Sequence, residues 1–185
     1  MYFTLINDIR YDSDKYLKDP VGLPTKFDLM SGERLDWIPD EPLVYSTNAK
    51  QGDELRDFSH SSFTLMTKKF FQLFLDAGVK NLQPVPAIIK SEEDGYVWDN
   101  YVGVNVIGVI ACADLAKSRY SEIVPGAHYR FKELAIDATK CNGALMFRLE
   151  EHLPTIIMHK SVGRYIMNQD PDRLLKGWSV GRIIQ

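Results

Sequence analysis

Three consecutive segments, LQPVPAIIK (Leu82–Lys90), SEEDG (Ser91–Gly95) and YVWDNYVGVNVIGVI (Tyr96–Ile110), decide the fold. Two apolar runs flank Asp94-Gly95, and Asp-Gly between such runs is a strong hairpin signal. Pro84 and Pro86 have the same parity, so both missing N–H donors fall on one edge, which predicts an edge strand. In the second run Val102, Val104, Val106 and Ile110 share one face, and Gly103, Asn105, Ile107 and Val109 share the other. That pattern predicts a central strand covered on both sides. Trp98 has the parity of Val102 and Val104 and is expected beside them, since alternation holds while no bulge intervenes. The turn is acidic: Glu92, Glu93 and Asp94 lie in it and Asp99 just beyond.

Upstream of the hairpin, Met66, Phe70, Phe74 and Ala77 recur at helical spacing. Thr67 or Thr64 can cap this helix, because a hydroxyl accepts from the free N–H groups of the first turn. Gly78 supplies a left-handed residue to end it. Its Phe-rich face is expected in the core. Further upstream, residues 2–6 have strand composition, residues 7–41 read as a long irregular arm, Leu43-Val44-Tyr45 as a short strand, and residues 46–62 as polar connection.

Downstream, a helical turn is predicted near Asp114, broken by Pro125-Gly126. Tyr129–Ile136 reads as a strand. Ala144–Glu151 alternates cleanly, with Leu145, Phe147 and Leu149 inward and Met146, Arg148 and Glu150 opposite. Thr155–His159 reads as another strand, Ser161 as the cap of a helix running to about Asn168, and Trp178–Ile184 as a last strand. Both predicted helices follow a Ser/Thr cap and lead into a strand, an echo of architecture without residue-level repetition. Together these signals predict an α+β fold: a mainly antiparallel sheet of five or more strands with two principal helices packed on it. The expected organisation is one domain, 1–185, with an arm and edge elements in 1–62 and the core in 63–185.

Composition fits. Of 185 residues 45% are apolar and 25% charged, which excludes a disordered chain or a coiled coil. The net charge of −3 argues against a general nucleic-acid binder. Charge is uneven: the balance is −5 over residues 1–60, −2 over 61–115 and +4 over 116–185. The longest apolar stretch, Tyr101–Ala113, falls short of the ~20 residues of a membrane span. The start MYFTLINDIR lacks a basic region, and Asp8 interrupts its apolar run, so a cytoplasmic location is expected. Cys112 and Cys141 have no CxxC or zinc spacing and are expected as small buried residues, a disulfide or metal site being the alternative.

No GxGxxG, P-loop, GxSxG or HExxH pattern occurs. The nearest reactive cluster is Glu150-Glu151-His152 with His159 beyond it. It supports an alternative reading as a small metal-dependent or acid–base hydrolase or nuclease, provided such groups converge on one point. His60 lies in a serine-rich stretch with no acid beside it, and His128 follows Pro125-Gly126 in an expected loop.

From Phe63 onward the chain resembles a family of bacterial immunity proteins from polymorphic toxin systems, the group first named after a myxobacterial immunity protein. The resemblance is carried, in order and spacing, by Met66-Thr67 and a helix ending in Ala77-Gly78 that leads into Leu82-Gln83-Pro84-Val85; by Tyr101-Val102-Gly103-Val104-Asn105-Val106; by Ala113-Asp114 with Ser118 and Tyr120; by Met146-Phe147-Arg148-Leu149; by Lys160-Ser161; and by Gly177-Trp178. It implies a non-enzymatic cytoplasmic protein with no cofactor and no metal. Such a protein binds a cognate toxin domain one-to-one, and engages neither nucleic acid nor membrane. Self-association is left open. On this reading the acidic hairpin, with Glu92, Glu93, Asp94, Trp98 and Asp99, is the expected toxin-binding surface, because complementary charge speeds encounter and rejects wrong partners.

Overall fold

The computed structural model describes residues 1–8, 10–11, 14–21, 23, 28–61 and 63–184. Its strands are β1 (Tyr2–Asn7), β2 (Leu43–Thr47), β3 (Phe58–His60), β4 (Thr64–Thr67), β5 (Leu82–Ser91), β6 (Val97–Val106), β7 (Val109–Ile110), β8 (Arg119–Val124), β9 (His128–Glu133), β10 (Met146–Leu149), β11 (His152–His159) and β12 (Trp178–Arg182). Its helices are α1 (Lys68–Asp76) and α2 (Lys160–Gln169), with a 3-10 turn at Ala138–Cys141. The fold is α+β, with two five-stranded sheets ordered β12-β1-β11-β10-β7 and β2-β5-β6-β4-β3, plus a separate β8–β9 ribbon. Pairing is antiparallel except β2 with β5 and β7 with β10.

Each helix follows a strand directly and leads to a parallel strand two places away. β4 and β5 both run antiparallel to β6, which lies between them. β11 and β12 both run antiparallel to β1, which lies between them. The echo in the sequence is thus two split strand–helix–strand units. Their inner faces and both helices share one core, in which Phe70, Phe74, Val104, Ile156, Val162 and Ile166 are fully buried. A second cluster around Phe147, Ile157, Cys112 and Cys141 covers the far face of the first sheet. A third, around Tyr45, Val85, Ile89 and Tyr101, lies under the arm on the far face of the other.

α1 forms as expected: the Phe70 N–H donates to Thr67 Oγ1 at 3.3 Å, and Gly78 follows with φ +90. Met66, however, belongs to β4. At α2 the capping side chain is His159, not Ser161; its ring accepts from the Ser161 N–H.

Several strands depart from the sequence reading. β5 is an edge only along its proline half, because β2 pairs from Ala87 onward, where the N–H donors return. The long apolar run of β6 is cut at Gly108 (φ +102), a backbone region open to glycine. Val109–Ile110 then joins the other sheet beside β10, so Ile110 packs in the second cluster and not with Val102. Residues 119–124 form a strand of the β8–β9 ribbon instead of a helical turn. β10 ends at Leu149, with Glu150 and Glu151 in a turn. All four of its residues are buried, because its second face meets the shared core.

Beyond Asn7, which ends β1, the arm has no helix or strand among its described residues, and residues 9, 12, 13, 22 and 24–27 of it lie outside the description. Its stretch 29–35 is stitched down by polar groups. Fully buried Arg148 donates to Leu29 O at 2.8 Å and Leu153 O at 2.9 Å. Asn105 donates to Glu33 O at 2.7 Å, and the Gln83 amide exchanges two bonds with Leu35 at 2.8 and 2.9 Å. Burial lowers the Arg148 pKa to about 10, so the guanidinium stays charged and makes charge-assisted bonds that tie the arm at Leu29 to β11 at Leu153.

Candidate functional site

The β5–β6 turn, Glu92 to Tyr96, is braced on three sides. Inside it, Ser91 Oγ accepts from the Glu93 and Asp94 N–H groups at 3.1 Å each, and Asp94 accepts from the Tyr96 N–H at 3.0 Å. From the end of β2 and the segment after it, Thr47 O accepts from the Glu92 N–H at 2.8 Å and Asp94 accepts from the Gln51 N–H at 2.8 Å. From the arm, Lys18 Nζ lies 2.8 and 2.9 Å from the two Glu92 oxygens, and the Tyr16 hydroxyl donates to the same carboxylate. The bonds from Lys18, then Tyr16 and Ser46, hold the Glu92 pKa down to about 2. Glu92 and Asp94 are therefore committed to holding the turn.

What the turn presents outward is different. Glu93 is half-exposed and only 4.0 Å from Lys50; Asp99 is exposed. Beside them stand Tyr96 and Val97, 38% and 41% exposed. The Trp98 ring meets Tyr96 edge-to-face at 4.9 Å. Trp98 does not share the face of Val102. The register slips between Ala87 and Ile89, so that Ala87 opposes Tyr101 while Ile89 opposes Trp98. The extra residue on β6 turns Trp98 to the side of Tyr101 and Ile89, where it is half-buried. Tyr96 lies two residues before Trp98 and so shares its side, as strand alternation requires. Tyr96 was not among the expected contact residues; its signal, an aromatic two positions before Trp98, is legible in the sequence.

The alternative cluster does not assemble. Glu150 is exposed. Glu151 accepts from the Ala113 N–H at 3.0 Å. His152 pairs with Thr155 Oγ1 at 2.8 Å, and burial lowers its pKa. His159 caps α2. Among the described residues no three His, Cys, Asp or Glu side chains converge as metal ligands would. His60 is held between Thr64 Oγ1 at 2.8 Å and Pro154 O at 2.7 Å. Cys112 and Cys141 are free, buried thiols, and burial pushes both pKa values up. Among the described residues no helix is long and apolar enough to cross a membrane.

No known family's sequence profile matches this chain, and no curated protein does either.

Proposed function

We propose that this protein is an immunity protein that binds a cognate bacterial toxin domain and covers its active site, using the tip of the β5–β6 hairpin. The observation that carries the reading is the division of labour at that tip. Glu92 and Asp94 are spent on bracing, and the rigid turn then offers Tyr96, Val97 and part of Trp98 beside Glu93 and Asp99. Aromatic side chains held in place beside charges are the usual anchors of a protein interface. A toxin domain that works on nucleic acid or phosphates has a basic cleft, which this surface complements. The resemblance in residues 63–185 points to the same class of partner.

The test is growth protection and association kinetics with toxin domains found in the genes neighbouring this one, the absence of any that it protects against counting against the proposal. Tyr96→Ala should weaken protection, mainly through faster dissociation. Glu93→Lys with Asp99→Lys should slow association at low salt, and the difference should shrink as salt rises, since exposed charges are screened over about 8 Å at physiological ionic strength. Glu92 is left intact, because removing it would release Lys18 and loosen the turn. Wild-type association and dissociation rates in both variants would remove this tip from the interface.

A further inference from the structure

A groove of about 840 Å³, none of whose lining residues belongs to the acidic turn, lies between β9 and the paired strands β1 and β12. It arises because the second core cluster covers only part of that sheet face. Along β1 the residues of one parity pass from buried Tyr2, 4% exposed, through half-buried Thr4 to Ile6, 40% exposed. Gly181 lies opposite Thr4 and keeps the floor low; a Cβ there would clash with Thr4 Oγ1. Ile6, Phe131 and Ile184 belong to the apolar part of the lining, and Thr4, Asn7 and Thr155 add polar groups.

Its charges run against the whole. The chain carries a net −3, yet the ionised groups lining this groove are Lys132, Arg182 and Glu133. Glu133 is neutralised by Arg119 at 3.1 Å. Lys132 and Arg182 are exposed and have no acidic partner among the described residues. His60, at one end, is turned inward onto Pro154 O, and burial lowers its pKa.

We propose that this groove is a docking site for an extended segment of a protein partner that alternates apolar and acidic side chains. Thr4 and Ile6 are two residues apart on one strand, roughly 7 Å, which is the spacing of same-side residues in an extended chain. The apolar floor takes the inward side chains, and Lys132 and Arg182 take carboxylates at the rim. An open-sided groove leaves much of a small molecule in water, whereas binding pockets enclose most of theirs. Two cations over an apolar floor are too few for a nucleic-acid backbone, whose affinity grows with the number of phosphates neutralised. The inference is independent of the hairpin tip, which carries the opposite charge and needs no toxin to be tested here.

The experiment is selection from a displayed library of random ten-residue peptides against the full chain, followed by NMR mapping of the enriched sequences. The expected result is enrichment of Asp or Glu alternating with aliphatic or aromatic residues, with shifts at Ile6, Phe131 and Arg182. The double variant Lys132→Glu, Arg182→Glu should lose at least tenfold in affinity for those peptides and select basic ones instead. Both side chains are exposed, so its thermal melt should match the wild type and separate lost binding from lost folding. A single-stranded oligonucleotide is run in parallel. Enriched peptides without acidic residues, shifts elsewhere on the surface, unchanged affinity in the double variant, or an oligonucleotide that binds as tightly as the peptides would each overturn the proposal.

Discussion

Two strand–helix–strand units build this molecule, β4–α1–β5 and β11–α2–β12, and each leaves a gap one strand wide between its parallel strands. In the first unit the gap is filled by β6, the next strand in the chain, through a tight hairpin. In the second it is filled by β1, from the opposite end of the chain. The first unit's middle strand is therefore a local affair, and the second's waits on a distant segment. The helices differ too. α1 buries two rings, Phe70 and Phe74, and is capped by a hydroxyl; α2 buries Val162, Gly163 and Ile166 and is capped by an imidazole. One connection is thus realised in two materials, and each difference can be probed separately.

The largest effect should come from deleting residues 1–7. β12 pairs only with β1 within its sheet, and β11 would lose one of its two neighbours. Chain closure by non-local strands is also the slow, costly part of assembly. The deletion should abolish the cooperative melt followed by circular dichroism. A truncated chain that still melts sharply within a few degrees of the wild type would show that the second unit holds without its middle strand.

The next effect is in the core that both units share. Phe74 is fully buried and its ring meets Phe70 edge-to-face at 5.0 Å. Phe74→Ala should cost about 3–5 kcal/mol in chemical denaturation, from lost transfer energy and the cavity left behind. Ile166→Ala, at the matching place on α2, should cost about 2–5 kcal/mol. Equal costs would mean that the aromatic and aliphatic versions of the unit are equally well packed; a much larger loss at Phe74 would mark α1 as the principal support of the core.

A smaller effect tests the caps. Thr67 Oγ1 accepts from the Phe70 N–H and donates to Asp57 Oδ1 at 2.8 Å. Asp57 in turn accepts from the Lys176 N–H at 2.8 Å, on the approach to β12. Thr67→Ala should therefore cost about 1–2 kcal/mol, at the upper end for a cap, because it frees a second-unit contact as well. A loss below about 0.5 kcal/mol would show that Asp57 holds Lys176 unaided.

The sequence carried the first unit better than the second, for a physical reason. Its helix period, Thr67, Gly78 and the Asp94-Gly95 turn are all local signals, and the hairpin's own pairing is local. β3 was not legible, since Phe58-Ser59-His60 has no alternation long enough to stand out. Nor was β8, whose six residues are all exposed and so show no buried period. Arg148 read as an outward residue because alternation assumes one wet face, and here both faces are covered. Trp98 was placed on the wrong side because one bulge inverts everything beyond it. At the candidate site, the acids were visible in the sequence but their duties were not. Glu92 is bound by Tyr16 and Lys18, more than seventy positions away, and only the folded arm assigns it to bracing.

The smallest predicted effect separates the two caps by pH. Thr67 has no proton to gain near neutrality. His159 must keep Nδ1 unprotonated to accept the Ser161 N–H at 3.4 Å, and the ring lies edge-to-face with Tyr2 at 5.1 Å. Burial lowers its pKa below 6.5, with smaller contributions from the N-terminal ammonium and Lys160. The folded state therefore binds its proton less readily than the unfolded chain does. The contribution of the neutral cap is full above the unfolded value of about 6.5, and it is lost as pH falls from there toward the lower folded value. His60 and His152 are lowered in the same direction, so wild-type acid sensitivity alone does not isolate the cap. His159→Asn does, because asparagine is a good cap that does not titrate in this range. Between about pH 7.5 and pH 5 the variant should lose less melting temperature than the wild type, whereas Thr67→Ala should lower stability by the same amount at both ends. The His159→Asn difference should shrink only slightly with salt, since screening reduces the small contributions of the N-terminal ammonium and Lys160 and leaves that of burial. Parallel pH profiles for wild type and His159→Asn would place the acid sensitivity in His60 and His152 and leave the two caps equivalent.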